Sequence, residues 1–472
     1  MKATLVTFWT TVRDSYWFVP SLMAVGAIGL SFVATAIDLS IGSKWLEDIG
    51  WLYANGPAGA RAVLSTVAGS MITVAGVTFS MTILSISYAT AQVGPRLLNN
   101  FMRDKVNQFT LGVFISTFLY CLMVLRTVRN AETARPDPGE NIELMAAFVP
   151  HVSIIVGLLM AIMSAGVLIF FIHHVAESIH ISNIVAGVGR DLENDIDQQF
   201  PSKVGSPRNE KSQRDSSASL PDSFYDDARQ LKSPRTGYVE FVDADGLLRI
   251  ATEHDLLIRL RHRAGDFITP NSVLLLAAPV DNVTDEIAAQ MEAAFVCGSQ
   301  RTATQNLSFV INQLVEVAMR ALSPGVNDPF TAMNCMDWLQ AGLEKLVDRA
   351  LPDAHRYDDN QQLRLVAEPE DFVSFTALVF DRLAPYVAPD RNAAVHMMEM
   401  LGTLAAKTSV ESRRRELLKH GEVLRKACRK VLASKEGMEL VTERYRSMVK
   451  LSRDPEYRQH VLRTCDWIGG RA

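Results

Sequence analysis

The sequence predicts a membrane α-helical N-terminal half with four transmembrane helices, followed by an α+β cytosolic half with a small β domain and a helical C-terminal region. Residues 1–176 hold four long apolar runs, whereas residues 177–472 are mostly polar and charged. In the second half, a strand-like stretch precedes a long region of helical periodicity. The mean hydropathy of +0.09 and the net charge of −5 are values for the whole chain, and they conceal the difference between the two halves.

Each of the four apolar runs is long enough to cross a bilayer, which takes about 20 residues. The runs lie at about residues 16–41, 62–92, 109–128 and 148–176. The first contains Ala34-Thr35-Ala36, which resembles a signal-peptide cleavage site. Its apolar stretch is longer than the roughly 7–15 residues of a signal-peptide core, so we expect a retained anchor.

Both chain ends are expected on the same side of the membrane, because the number of spans is even. Basic residues are nearly balanced between the loops, so the positive-inside rule does not decide the side. The five cysteines form no CxxC pair, and four of them lie in the polar half. A short N-terminal tail and free thiols favour cytoplasmic termini.

Two segments beside the spans have amphipathic patterns. The sequence GPRLLNNFMRDKVNQ after the second run is typical of a short interfacial helix, and a plain polar loop is the alternative. After the fourth run, helical spacing of apolar residues predicts a helical extension over residues 177–199 that continues the span. Ser, Pro and charged residues then predict a flexible linker at residues 200–236.

The remaining chain predicts a small β domain at residues 237–280 and a mainly helical cytosolic domain at residues 281–472. A turn is expected at Asp245-Gly246. The segment GDFITPNSVLLL resembles half-barrel pieces of lipoyl- and biotinyl-type domains, which carry a modified lysine. No lysine occurs between Lys232 and Lys345, so the sequence predicts no cofactor. Later helical patterns lie at about residues 370–388, 391–407, 410–433 and 436–450.

The second apolar run is unusually rich in hydroxyl groups. One helix face carries five of them, four at seven-residue spacing: Thr66, Ser70, Thr73, Ser80 and Ser87. A neighbouring stripe carries Thr78, Thr82 and Ser85. The first face predicts either a pore lining or close helix packing with hydroxyl hydrogen bonds. Both interpretations place the second span at the centre of the bundle.

The end of the fourth run, FIHHVAESIH, places His173, Glu177 and His180 at helical spacing on one face. These side chains can share a metal ion or form a pH-responsive group. They can also simply anchor the helix end at the membrane surface. The sequence leaves metal binding undecided, because no further ligand is evident nearby.

The segment RALSPGVNDPFTA predicts a corner between two helices. Asp328 followed by Pro329 has the chemistry of a helix start, and Pro324-Gly325 that of a tight turn. Asn327, Asp328 and Thr331 therefore have structural roles as their first interpretation. A ligand-binding or subunit-binding loop is the alternative.

Several function classes lack support in the sequence. No GxSxG, HExxH, Walker or GxGxxG motif is present, so an enzyme is not expected. The mild acidity and the lack of a basic tract give no support to nucleic-acid binding. The lipid bilayer is the expected environment, and any cytosolic partner is unidentified.

Three stretches together resemble a family of bacterial predicted membrane proteins of unknown function. They begin at ISYATAQVGPRLLNN, at FIHHVAESIHISNIV and at ALSPGVNDPFTAMNCMDWL. The resemblance implies a multi-pass protein of the bacterial inner membrane and implies no activity. Our leading hypothesis is a homo-oligomer that forms an ion or small-solute channel gated by its cytosolic domain. The alternative is a non-conducting, membrane-anchored sensor or scaffold that binds a cytosolic partner.

Overall fold

A computed structural model describes residues 15–41, 56–94, 104–129, 132–133, 144–145, 148–199, 220–303, 305–349 and 352–464. The described residues fall into two compact units that meet at His180 and Ile181 in the sequence. We call residues up to His180 the membrane unit and residues from Ile181 the C-terminal unit. Residues 95–103, most of the predicted interfacial helix of residues 94–108, lie outside the described residues.

The membrane unit contains four helices that are long and apolar enough to cross a membrane, which confirms the predicted spans. They are α1 (Phe18–Ile41), α2 (Pro57–Val93), α3 (Lys105–Leu125) and α4 (His151–Ser178). Two short strands, β1 (Glu132–Thr133) and β2 (Leu144–Met145), pair antiparallel between α3 and α4.

Helix α3 is the centre of this unit, because its contacts with the other three helices are more extensive than those of any other helix in the unit. More than half of the residues in its most apolar stretch are buried, against about one fifth in α2. Within the single chain, the expectation that the second span forms the centre is therefore wrong, while a central place for it in an oligomer stays a prediction. The hydroxyl series identifies one face of α2, but it does not show which element, if any, packs against that face. The hydropathy of α3 does not distinguish it from the other spans as the central helix.

The predicted continuous helix after the fourth span is interrupted. Helix α4 ends at Ser178, and a new helix, α5 (Ile181–Gln199), begins after Ile179 and His180. The predicted apolar stripe of α5 is buried within the C-terminal unit, where α5 packs against two later helices, α8 (Leu307–Ala321) and α9 (Pro329–Leu346). His180 thus lies between two helices, not on the α4 face.

The C-terminal unit contains two small sheets. The first has the strand order β3-β7-β5-β10-β9, and the second has the order β6-β4-β8. Only β10 and β5 pair in parallel among the described strands of these sheets. The strands are β3 (Arg229–Lys232), β4 (Gly237–Val242), β5 (Leu257–Leu260), β6 (Phe267–Ile268), β7 (Val273–Ala278), β8 (Phe295–Gly298), β9 (His355–Tyr357) and β10 (Leu363–Val366).

The predicted turn at Asp245-Gly246 is instead the first turn of a helix, α6 (Ala244–Glu253). The Asp243 carboxylate accepts a hydrogen bond from the Gly246 amide at 2.9 Å, so the earlier aspartate caps a helix. The two sheets extend beyond the predicted β domain of residues 237–280, because β3 lies before it in the sequence and β8, β9 and β10 lie after it.

Helices dominate the rest of the C-terminal unit, as the sequence predicts. They are α7 (Asp285–Ala293), then α8 and α9, followed by α10 (Phe372–Val387), α11 (Arg391–Lys407), α12 (Glu411–Val431), α13 (Lys435–Arg453) and α14 (Pro455–Thr464). Helix α11 is almost fully buried along one side, where Met397, Met398 and Leu401 are inaccessible to solvent.

Candidate functional site

The predicted hydroxyl face of α2 is exposed along its whole length in the single chain. All five of its hydroxyl residues are exposed: Thr66, Ser70, Thr73, Ser80 and Ser87. Val77 and Leu84, which lie between them on the same face, are exposed as well. Gly69 and Gly76 lie on the same side, and a Cβ atom added to either would meet nothing within 4 Å. We call this surface the α2 outer face. Nothing described in the chain packs against the two glycines.

Two hydroxyls of the outer face are bonded within their own helix. Thr73 Oγ1 donates to the Gly69 carbonyl at 2.8 Å, and Ser80 Oγ donates to the Gly76 carbonyl at 2.9 Å. Such bonds satisfy the donor and leave the oxygen lone pairs able to accept from water or another helix.

Two residues of the second predicted stripe of α2, Thr78 and Thr82, face inward, whereas Ser85 is half-buried and donates to the Met81 carbonyl at 2.8 Å. Thr78 and Thr82 are each 2% exposed, and they donate to the carbonyls of Val74 and Thr78. The two stripes therefore have different surroundings. The second stripe is mostly buried inside the chain, and the outer face is available for lipid, water or a second chain.

The interior of the membrane unit holds polar side chains that the sequence analysis missed. Thr117 Oγ1 lies 3.0 Å from Ser164 Oγ and links α3 to α4. Among the described residues, the buried atoms Asn107 Oδ1, Thr110 Oγ1 and Ser116 Oγ on α3 have no hydrogen-bond partner. Thr110, Ser116 and Thr117 are hydroxyl residues inside the predicted run of residues 109–128, and this signal for an interior face was available in the sequence.

One end of the bundle is joined by a buried carboxylate, Asp38 of α1. Its oxygens accept hydrogen bonds from the backbone amides of Val152 and Ser153, at 2.7 and 2.9 Å, and from Ser153 Oγ at 2.6 Å. Tyr120 of α3 donates to the Ser153 carbonyl at 3.0 Å. Asp38 thereby caps the N-terminus of α4, where amides are unpaired and the helix dipole favours an anion.

The predicted histidine cluster is only partly assembled. His173 Nε2 lies 3.4 Å from Glu177 Oε1, but both side chains are largely exposed, and His180 follows the end of α4. No group of three or more metal-ligating side chains occurs among the described residues. The neighbouring His174, which the sequence analysis did not select, instead lies 2.7 Å from Asp104, at the start of α3.

The predicted corner before α9 is confirmed as a helix start. The Asp328 carboxylate accepts hydrogen bonds from the Thr331 amide at 3.1 Å and from Thr331 Oγ1 at 2.6 Å. Asn327 has φ of 50°, in the left-handed region that asparagine tolerates. Asp328 and Thr331 are thus engaged with each other, while Phe330 beside them is 74% exposed.

These observations define a membrane protein with four membrane-capable helices and a mixed helical and sheet unit. The chain belongs to the family described as predicted membrane protein DUF2254, which matches residues 13–403. It is similar to the uncharacterized proteins Rv1290c of Mycobacterium tuberculosis and Mb1321c of Mycobacterium bovis. Each is 29% identical over 411 residues, which cover 85% of this chain and 74% of the relative. No solved structure matches the chain.

Proposed function

We propose that this protein assembles into a homo-oligomer through the α2 outer face and conducts ions or small solutes along that face. The observation that carries the proposal is the exposure of five hydroxyl residues and two glycines on one side of a membrane-capable helix. Lipid chains gain little from such a surface, because they contact larger apolar side chains better.

The two glycines favour a second helix as the neighbour of this face. Glycine in a helix interior costs about 1 kcal/mol relative to alanine, and no contact within the described chain requires glycine at residues 69 or 76. Small residues at membrane interfaces let two backbones approach closely, and this close approach compensates the cost.

The hydroxyl oxygens favour a hydrated path at the assembled interface. Their remaining lone pairs can accept from water without placing a fixed charge in the membrane. In this proposal the C-terminal unit lies in the cytosol and gates the path. The bonded hydroxyls of Thr73 and Ser80 also suit a dry interface, which supports the second candidate, a non-conducting scaffold.

Single cysteines at the α2 outer face test the assembly and the water path together. We expect Thr73→Cys and Ser80→Cys to cross-link between subunits in membranes and to react with a water-soluble maleimide. Thr82→Cys is the matched control, because Thr82 is buried inside the chain and should do neither.

Cross-linking at residues 73 and 80 without reaction with the maleimide would show a dry interface, and would favour the non-conducting scaffold over the channel. Absence of both at residues 73 and 80 would overturn the proposed assembly. Wild-type protein provides the background reaction of the native cysteines, of which Cys121, Cys335 and Cys428 are buried.

A further inference from the structure

A polar cleft of about 450 Å³ lies within the C-terminal unit, well within the size range of small-molecule sites. Its walls are the Arg263–Asp266 turn, the start of α8 and one side of α10. Gly265 and Asp266 in its lining begin the GDFITPNSVLLL segment, but the sequence marks no candidate site residue in the cleft.

The carboxylates that line the cleft already have partners. Asp266 Oδ2 accepts from the Arg263 amide at 3.1 Å, and Glu370 Oε2 accepts from Ser308 Oγ at 2.7 Å. Glu370 Oε1 also lies 3.4 Å from the Arg263 guanidinium. Asp381 Oδ1 lies 2.9 Å from Nδ1 of the buried His420.

Two guanidinium groups at the cleft have no such partner. Arg382 donates one hydrogen bond, from Nη1 to Asn312 Oδ1 at 2.8 Å. Arg301 lies over the Tyr238 ring at 5.2 Å. Within the described ranges, neither guanidinium pairs with a carboxylate, and each has five N–H donors. Most of their donors are therefore available to a ligand.

The geometry of the cleft is held by close contacts. Asn306 is 6% exposed, and its Oδ1 accepts from the Phe309 amide at 3.0 Å, which caps α8. Gly265 has φ of 95°, and a Cβ atom there would lie 2.1 Å from Asn306 Nδ2. The turn is thus held tightly against the helix start, whose dipole adds positive potential.

We propose that this cleft binds a small organic phosphate, with the phosphate group at Arg301 and Arg382 and its apolar part against Phe309 and Leu378. The two guanidiniums without carboxylate partners match the double charge of a phosphomonoester, and arginine suits phosphate through paired N–H donors. Phe309 and Leu378 supply the apolar part of the lining. This proposal holds whether or not the protein conducts.

Binding to the full-length protein in detergent tests the proposal, with phenyl phosphate as the probe and inorganic phosphate, benzoate and phenol for comparison. We expect phenyl phosphate to bind more tightly than each of the other three by calorimetry. Arg301→Gln and Arg382→Gln should each weaken phenyl phosphate binding about tenfold or more. Arg446→Gln makes the same charge change at an exposed site that does not line the cleft, and should leave binding unchanged.

Gly265→Ala should also weaken binding, because it disturbs the turn without changing the charge. Thermal unfolding of each variant identifies loss of folding, and Arg301→Gln, at an exposed side chain, should retain the fold. Equal binding of benzoate and phenyl phosphate would overturn the phosphate assignment. Unchanged phenyl phosphate binding in the Arg301→Gln/Arg382→Gln double variant, or no binding to wild type, would overturn the site.

Discussion

His174 Nε2 lies 2.7 Å from Asp104 Oδ2 and connects the end of α4 to the start of α3. The other oxygen of Asp104 accepts from the Val106 amide at 2.9 Å and caps α3. Both side chains are about one quarter exposed or less. One carboxylate therefore fixes the start of the central helix and its contact with the fourth span.

We expect His174→Ala to lower the stability of the membrane unit by about 1–2 kcal/mol, because it removes a partly buried hydrogen bond to a charged group. His173→Ala is the matched control, since the His173 side chain is 72% exposed and its neighbour Glu177 is also exposed. Thermal unfolding in one detergent compares the two. Equal losses would show that the Asp104 contact has no special role.

Asp38→Asn should destabilise the bundle more strongly than His174→Ala. The substituted amide removes the charge at the start of α4 and directs a donor group toward the amides of Val152 or Ser153. Ser40→Ala serves as the control, because Ser40 is exposed and, within the described residues, its hydroxyl donates only to the Ile37 carbonyl of its own helix. An unchanged unfolding temperature for Asp38→Asn would contradict the proposed cap.

Substitution by alanine should change the stability of the protein in opposite directions at two glycines of α5. A Cβ atom at Gly189 would lie 2.3 Å from the Trp338 ring, so Gly189→Ala should force α5 away from α9 and lower stability. At Gly187 nothing lies within 4 Å, and Gly187→Ala should raise stability by up to about 1 kcal/mol through helix propensity. Thermal unfolding monitored by tryptophan fluorescence should show changes of opposite sign; the same sign in both variants would count against this packing.

The contributions of Asp195 and Asp197 on α5 to the free energy of unfolding should depend on pH in opposite directions. Burial, together with Asp191, raises the pKa of Asp195 from 3.8 to about 6. The folded chain then holds this proton more tightly than the unfolded chain, so stability falls as pH rises through that range. Asp195→Asn should remove the fall and stabilise the protein at pH 7.

Hydrogen bonds from Lys345 and Arg349 lower the pKa of Asp197, so its contribution is present above the unfolded value near 3.8 and is lost as pH falls through the folded value. Asp197→Asn should therefore destabilise at pH 7. Denaturation curves between about pH 2 and pH 8 measure both effects, because the Asp197 contribution is lost only below its unfolded pKa. A destabilised Asp195→Asn variant at pH 7 would show that the carboxylate is favourably placed.

The sequence was sufficient for features that depend on local chemistry. The four spans follow from apolar length, and the start of α9 follows from Asp328-Pro329. Contacts between distant residues were not predictable in this way. Asp38 meets Ser153 across 115 positions, and Asp104 meets His174 across 70. A single carboxylate at a helix end gives no sign of which distant amides it will reach.

The choice of the central helix illustrates the same limit. Helices α1 and α3 are equally apolar, although α3 is far more buried. The α2 hydroxyl face was found because its spacing is regular, but its exposure became known only with the neighbouring helices in place. The cleft at Arg301 and Arg382 joins segments from separate parts of the chain and left no motif in the sequence.

Ion flux through purified protein in liposomes or planar bilayers tests the proposed conduction most directly. We expect currents from wild type, loss of current in Ser80→Leu on the α2 outer face, and retained current in Thr82→Val on the buried face. Absence of flux from folded wild type under voltage, membrane tension and pH change, or equal currents in all three proteins, would contradict a conduction path along α2.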